Sequence, residues 1–357
     1  MKLSEMLRGC EPGRLQIVGN MAVLPLVSEL IWDDLVSPAN TLPDGGNTRA
    51  KAEPRLTADV GTRTSYGTMV FGNRDQERDM IIPSHAGYLT KERAQDHAMS
   101  TAGIVRKGLT KAYRNACCVQ STQGGLMSMT QREMIILPWQ LRAEATATRR
   151  SVSYSKLWDA IGKYNRSYDV RDHGGHLEMF FSKYAQQLEQ FVAEFEPVAK
   201  QVGAILFVDG KLVGIERVPN YRYWRAVWPA LIRECYGSLA LLTRDAGKAP
   251  RQPQIQESLR LDRIKTLEDL EAELRAVQDR EDEKARAMIR DIGKTDFIMD
   301  DDEVDGTLTV RTISDSDKRF SGQVVQRDGV PVVYVSLVTT QYYHKHGKWH
   351  EASAFSV

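Results

Sequence analysis

Cysteine is scarce in this chain, with four in 357 residues, at Cys10, Cys117, Cys118 and Cys235. Cys117 and Cys118 are adjacent, a spacing that suits neither a CxxC redox pair nor a zinc knuckle. Scattered thiols in a chain of this length are expected to be reduced, some of them buried as small hydrophobes, which points to the cytoplasm. Long apolar runs are missing as well. No segment approaches the ~20 apolar residues that span a bilayer. The opening MKLSEMLRGCEPGRLQIVGN lacks the apolar stretch and small-residue cleavage site of a secretory signal. Charge of one sign is not in excess, since 48 Lys and Arg face 47 Asp and Glu. That balance argues against a dedicated nucleic-acid surface and against a membrane surface. The chain also has no GxGxxG after a strand, no GxxxxGK[ST], no GxSxG, no HExxH and no CxxC, and no repeat of fixed period. These absences argue against a P-loop hydrolase, a Rossmann dehydrogenase and an α/β-hydrolase.

What is present is ordinary globular material, 42% hydrophobic and 27% charged, enough for a sizeable core. Leu15–Pro25 is short and apolar and predicts one or two strands, and Thr68–Phe71 and Met80–Ile82 predict two more. Ser37–Thr64 loses hydrophobic periodicity and is rich in Pro, Gly, Asn and Asp, so 43–64 is expected as a flexible loop. Small and apolar residues recur at three and four between Leu89 and Ala116, which predicts a helix capped by Thr90. Ala116–Gln120 and Glu133–Trp139 predict strands, and Val152–Tyr164 a helix. Leu177, Phe180, Phe181, Tyr184, Leu188, Phe191, Val192 and Phe195 fall on one helical stripe that Pro197 ends. Val202–Val208 and Lys211–Glu216 flank Asp209–Gly210, a pair favoured where both turn residues take positive φ, which predicts a hairpin. Asn220 is expected to cap a helix burying Trp224, Val227, Trp228, Leu231, Ile232, Cys235 and Leu239. Arg244–Gln256 is polar and proline-rich. Asp262–Ile292 is a charged helical run with a thin apolar seam, either a solvated arm or an oligomer contact. Strands over Thr307–Ile313, Val324–Gln326 and Val330–Val338 close the chain, with a turn at Asp328–Gly329. The resulting expectation is an α+β fold, a mixed or antiparallel sheet with β-hairpins packed by several helices. Residues 1–243 form its main domain, 244–305 a mobile linker and charged arm, and 306–357 a β segment completing the domain.

Few patterns carry chemistry. Asp300, Asp301, Asp302, Glu303 and Asp305 invite a calcium loop, but the twelfth position counted from Asp301 is Thr312, which cannot supply the bidentate ligand. A solvated acidic loop is expected instead. His344, His346 and His350 at the C-terminal edge, and His173 and His176, are weak candidates for a metal because a third ordered ligand is not evident. Gln120, Ser121, Gln123, Gly124 and Gly125 form a polar, glycine-containing loop whose N–H groups suit a phosphate or carboxylate, against the plainer reading of a connection between strands. Glu216 and Arg217 end a strand, either as site residues or as an exposed ion pair. Tyr221, Tyr223, Trp224 and Trp228, interleaved with Arg222 and Arg225, suit stacking on a base, but helical spacing favours core packing for both tryptophans.

The block VGAILFVDGKLVGIERVPNYRYW, followed by RECYGSLAL, resembles the hairpin and helix of the ARG and rhodanese-phosphatase-superfamily-associated protein domain. NMAVLPL, YLTKERAQDHA, KLWDAI and GVPVVYVSL resemble other parts of that family in order. The family takes its name from association with ADP-ribosylglycohydrolases and rhodanese-like phosphatases, so the resemblance implies a link to NAD or ADP-ribose metabolism. Relatives tend to carry an acidic pair and a Lys-Gln-Asn-Arg-like stretch around the middle loop. Gln120–Ser121 and Leu126–Met129 stand there in this chain, a departure that puts catalysis in doubt. The expectation is a protein that binds an NAD-, ADP-ribose- or other nucleotide-type metabolite through Gln120, Gln123, Gly124, Arg132, Glu216 and Arg217, with no cofactor specified. The alternative is a self-assembling protein whose 244–305 segment mediates contacts in a homo-oligomer.

Overall fold

A computed structural model describes residues 1–38, 53–55, 67–90, 96–121, 132–171, 175–243, 264–343 and 349–351. Nine strands build one antiparallel sheet: β1 (Glu11–Pro12), β2 (Gln16–Val18), β3 (Met21–Val27), β4 (Gln201–Val208), β5 (Lys211–Arg217), β6 (Phe297–Asp305), β7 (Leu308–Asp315), β8 (Phe320–Arg327) and β9 (Val332–Thr339). Their order is β1-β3-β4-β5-β9-β8-β7-β6, and β2 also pairs with β3. The helices are α1 (Leu3–Met6), α2 (Trp139–Ala147), α3 (Trp158–Ser167), α4 (Leu177–Glu194), α5 (Tyr221–Ala230), α6 (Ser238–Thr243) and α7 (Leu267–Ile292). The fold is α+β.

The hairpin β4–β5 is the centre of the sheet. Asp209 at φ 49° and Gly210 at φ 72° make its turn, the positive-φ pair the sequence predicts. Every residue of β4 is buried, because both sheet faces are covered. Ile205 and Phe207 pack with Leu3, Met6 and Ala285 on the face of α1 and α7. Ala204, Leu206 and Val208 pack on the other face with Trp224, Val227 and Tyr236. Asn220 caps α5 by accepting from the Tyr223 N–H at 2.9 Å. Pro229 lies inside α5, where its missing N–H removes a ladder bond. The chain then widens into a π-helical segment over Leu231–Gly237 before α6. Trp224 and Trp228 are core residues.

The segment expected as a charged arm folds from Thr266, whose Oγ1 accepts from the Asp269 N–H at 3.1 Å. Its inner face is tied to the sheet: Leu15 N–H donates to Asp282 at 2.8 Å, and Arg286 donates to the carbonyls of Pro12 and Gly13. Residues 244–263 and most of 43–64 lie outside the described residues.

Three expectations are corrected. Leu89–Ala116 is not a helix: Ala86–Thr90, His97–Ala98, Gly103–Val105 and Thr110–Tyr113 are strands of small sheets, and Thr90 pairs with Arg132. Short strands with small residues on their buried faces mimic a three-and-four spacing, and Gly103 is a packing position, where an added Cβ would stand 2.7 Å from the Tyr113 ring. The acidic run is not a loop but strand β6, whose carboxylates are met by cations: Asp302 by Arg149 at 2.7 Å, and Glu303 by Lys111 at 2.6 Å. The helix expected from Val152 starts at Trp158 instead, after turns.

Candidate functional site

Alternation along β5 sends Glu216 and Arg217 to opposite faces, so the two do not pair. Glu216 turns toward the helices, where its Oε1 accepts from Arg142 Nη1 at 2.8 Å and from the Tyr236 hydroxyl at 2.7 Å. The Arg142 and Glu216 side chains are 1% and 2% exposed, so this is a fully desolvated ion pair. Such a pair is stable only when the remaining donors and acceptors are also met. They are: Arg142 also reaches Tyr236 at 3.2 Å, Cys235 Sγ at 3.4 Å, Ser336 Oγ, and His85 Nδ1 at 3.1 Å. Four elements from separate parts of the chain converge here, namely α2, β5, β9 and the π-helical segment. Gly214 on β5 makes room, since a Cβ there would stand 2.0 Å from the Tyr236 hydroxyl.

His85 is buried and left-handed, at φ 62°. Strain of that kind persists where surroundings over-determine it, and it clusters at functional sites. Because Arg142 Nε donates to its Nδ1, the ring carries its proton on Nε2 and donates to Thr146 Oγ1 at 3.0 Å. Burial, and then the Arg142 charge, lower the His85 pKa well below its ordinary 6.5. Burial works to lower Arg142, but Glu216, Cys235 and Tyr236 together outweigh it and raise the guanidinium well above its usual value. Burial, reinforced by Glu216 against Arg142, pushes the Cys235 thiol up to about 12. The set is therefore a neutral His, a neutral thiol and one charge pair. From it a polar chain runs outward: Ser84 Oγ, 3.2 Å from His85 Nδ1, donates to Gln323 Oε1 at 2.7 Å, and Gln323 Nε2 donates to Asp302 at 3.3 Å, next to Arg149.

The His85 shift fixes a pH dependence. The folded state keeps the ring neutral, whereas the unfolded state protonates it below about 6.5. The stabilisation is present above that pH and is lost as pH falls below it, by up to about 1.4 kcal/mol per pH unit. Asn tolerates positive φ, so His85→Asn should flatten the decline of unfolding free energy between pH 7 and 5. An unchanged slope in that variant would show that His85 does not titrate on unfolding.

The second centre surrounds Gln120. Its side chain is buried, and its Oε1 accepts from the Asp96 N–H at 3.4 Å. Cys118 Sγ donates to the Gln120 carbonyl at 2.9 Å, and Cys118 N–H to the Tyr154 carbonyl at 2.7 Å. Burial, helped by Asp96, raises the Cys118 thiol. The Tyr154 ring, partly exposed, meets half-buried Trp158 edge to face at 5.5 Å. Cys118 and Val119 thus tie buried Gln120 and Asp96 to the segment that carries the partly exposed Tyr154 ring.

The third is Arg217, fully buried on the α1 side, with Nη1 donating to the Met6 carbonyl and its guanidinium 5.1 Å from the Trp32 ring centroid. The structure does not gather the sequence-predicted residues into one place: Glu216, Arg217 and Gln120 belong to three surroundings. Arg132 lies on the strand Arg132–Ile136, paired with Thr90. Gln123, Gly124, His173, His344 and His346 lie outside the described residues, and His350 pairs with Tyr342 through its backbone. Among the described residues no group of three or more His, Cys, Asp or Glu is arranged to hold a metal. No helix among them is long and apolar enough to cross a membrane. Sequence reasoning missed Arg142, His85, Tyr236 and Ser336. Only the apolar strand Glu133–Trp139 leading into Arg142 offered a hint, and it named no partner.

Comparison with known proteins gives one finding. The family model described as the ARG and Rhodanese-Phosphatase-superfamily-associated Protein domain matches residues 9–327. The match includes Arg142, Glu216, Gln120 and Arg217 and stops before β9, which carries Ser336. No curated protein and no solved structure matches.

Proposed function

From the premise that this chain belongs to the ARG and Rhodanese-Phosphatase-superfamily-associated Protein domain family, we propose that it binds an NAD- or ADP-ribose-type nucleotide metabolite beside Gln120. The observation that carries the reading is that buried Gln120 and Asp96, joined at 3.4 Å, are tied through the Cys118–Val119 backbone to Tyr154, whose ring meets Trp158. An accessible ring offers a face on which a base or nicotinamide stacks, a contact worth about 1–3 kcal/mol per base. Amide and carboxylate groups are the chemistry that reads a ribose or a carboxamide edge. The reading is one of binding rather than turnover. We place it in the cytoplasm, in keeping with Cys10, Cys117, Cys118 and Cys235 all being free thiols.

Calorimetric titration of the intact protein with ADP-ribose and NAD tests this. Gln120→Ala and Tyr154→Ala are each expected to weaken binding by about tenfold or more, or about 1.4 kcal/mol, with the fold kept. Two flat titrations, or variants binding as the parent does, would end the proposal. Self-assembly is the second reading, and it is favoured by the exposed Leu267, Ile298 and Val304 of the 264–305 region (79%, 66% and 68%). Light scattering that returned a single-chain mass would remove it.

A further inference from the structure

Arg217 is 0% exposed, yet among the described residues its Nε and Nη2 have no hydrogen-bond partner. Nη1 alone is used, on the Met6 carbonyl. Among the described residues no carboxylate pairs with it, and Cys10 is the one titratable group that acts on its charge. A buried guanidinium left in this state is costly, because its charge is uncompensated and two donors are unmet. The two unmet donors are not arbitrary. Nε–H and Nη2–H point in parallel from one edge of the guanidinium plane, the fork that takes both oxygens of a carboxylate or phosphate.

The plane is also held in place. The guanidinium carbon stands over the Trp32 ring, and Trp32 is itself pinned: its backbone N–H donates to the Pro219 carbonyl at 3.0 Å, and its carbonyl accepts from Asn220 Nδ2 at 2.8 Å. Ser28 Oγ ties the neighbouring turns together by donating to the Gly9 carbonyl at 2.7 Å and accepting from the Leu30 N–H at 2.9 Å. Half-buried Cys10 and exposed Leu30 and Ile31 form the surface over these turns.

We propose that the Nε–Nη2 edge of Arg217 is a binding site for a small oxyanion, a carboxylate or a phosphate group. The site supplies one positive charge, a fixed two-donor fork and an aromatic wall, and it selects for two oxygens on one centre. It is independent of the Gln120 reading, which can fail without touching it.

The test is a titration of the intact protein followed by nitrogen-15 NMR of its arginine Nε–H groups, with the Arg217 resonance assigned by its loss in Arg217→Lys. Inorganic phosphate, acetate and chloride are added at matched ionic strength. A saturable movement of the Arg217 resonance with phosphate or acetate, but not with chloride, is expected. Arg217→Lys keeps the charge without the fork, so the oxyanion that moves the resonance should raise the thermal midpoint of the parent and not of the variant. Response to phosphate alone assigns a phosphoryl group, and response to acetate alone a carboxylate. A resonance that ignores both oxyanions, or moves equally with chloride, overturns the proposal, and this outcome is read on the parent protein even if Arg217→Lys fails to fold.

Discussion

Glu216→Ala is expected to lower the unfolding free energy by about 3–5 kcal/mol, because it leaves Arg142 as a buried charge without its counter-ion. The remaining partners of Arg142 are neutral, a ring nitrogen, two hydroxyls and a thiol kept protonated by burial. None can take over the charge. Glu216→Gln should cost less, since its amide oxygen still accepts from Tyr236 or Arg142. Replacing both partners, as in Arg142→Met with Glu216→Leu, should cost less than the two single changes added together, because the second removes the penalty created by the first. Urea denaturation of the parent, the Ala and Gln variants, the two single changes and the double variant measures all of this. An Ala variant within 1 kcal/mol of the parent, as an order-of-magnitude threshold, would mean that water reaches Arg142.

Gly214→Ala should be nearly as severe, although it adds one methyl group. The new Cβ would stand 2.0 Å from the Tyr236 hydroxyl and 2.5 Å from two ring carbons. Tyr236 is fully buried and cannot swing to solvent. Overpacking of this kind costs about 1–3 kcal/mol, and moving the ring also breaks the 2.7 Å bond to Glu216, worth about 1.5–3 kcal/mol for a charged acceptor. The expected loss is about 3–5 kcal/mol. Tyr236→Phe keeps the ring and loses only the hydroxyl's bonds to Glu216 and Arg142, so it should sit well above Gly214→Ala in stability. If the two rank the other way, the ring moves aside freely and the contact is not tight.

The parts of this fold that could be read from sequence are those whose cause is local. Asp209–Gly210 announces a turn by backbone conformation alone, and the stripe from Leu177 to Phe195 announces α4 by period. Leu89–Ala116 misleads because spacing alone does not show which small residues lie against rings, as Gly103 lies against Tyr113. The charge pair was illegible for a different reason. Arg142 and Glu216 are 74 positions apart, and neither is marked by its neighbours, so only the folded sheet shows that they meet. Glu216 and Arg217 looked like an exposed pair because adjacent residues are close along the chain. Strand alternation separates them.

The order of strands has a consequence for how the protein is made. The hairpin β4–β5 is complete midway through synthesis, but the strand that covers its outer edge, β9, is the last of the nine to emerge. Until then β5 offers Val213 and Ile215, with Glu216 lacking its final surroundings, as an open edge at a ribosome moving at about 5–20 residues per second. Even the first residues wait, for the Met1 carbonyl is met by the Phe297 N–H and Lys2 is bridged to Asp296. Pairings this distant in sequence make folding slow. The β5 edge of the hairpin thus stays open until β9 arrives, and the sheet closes only then.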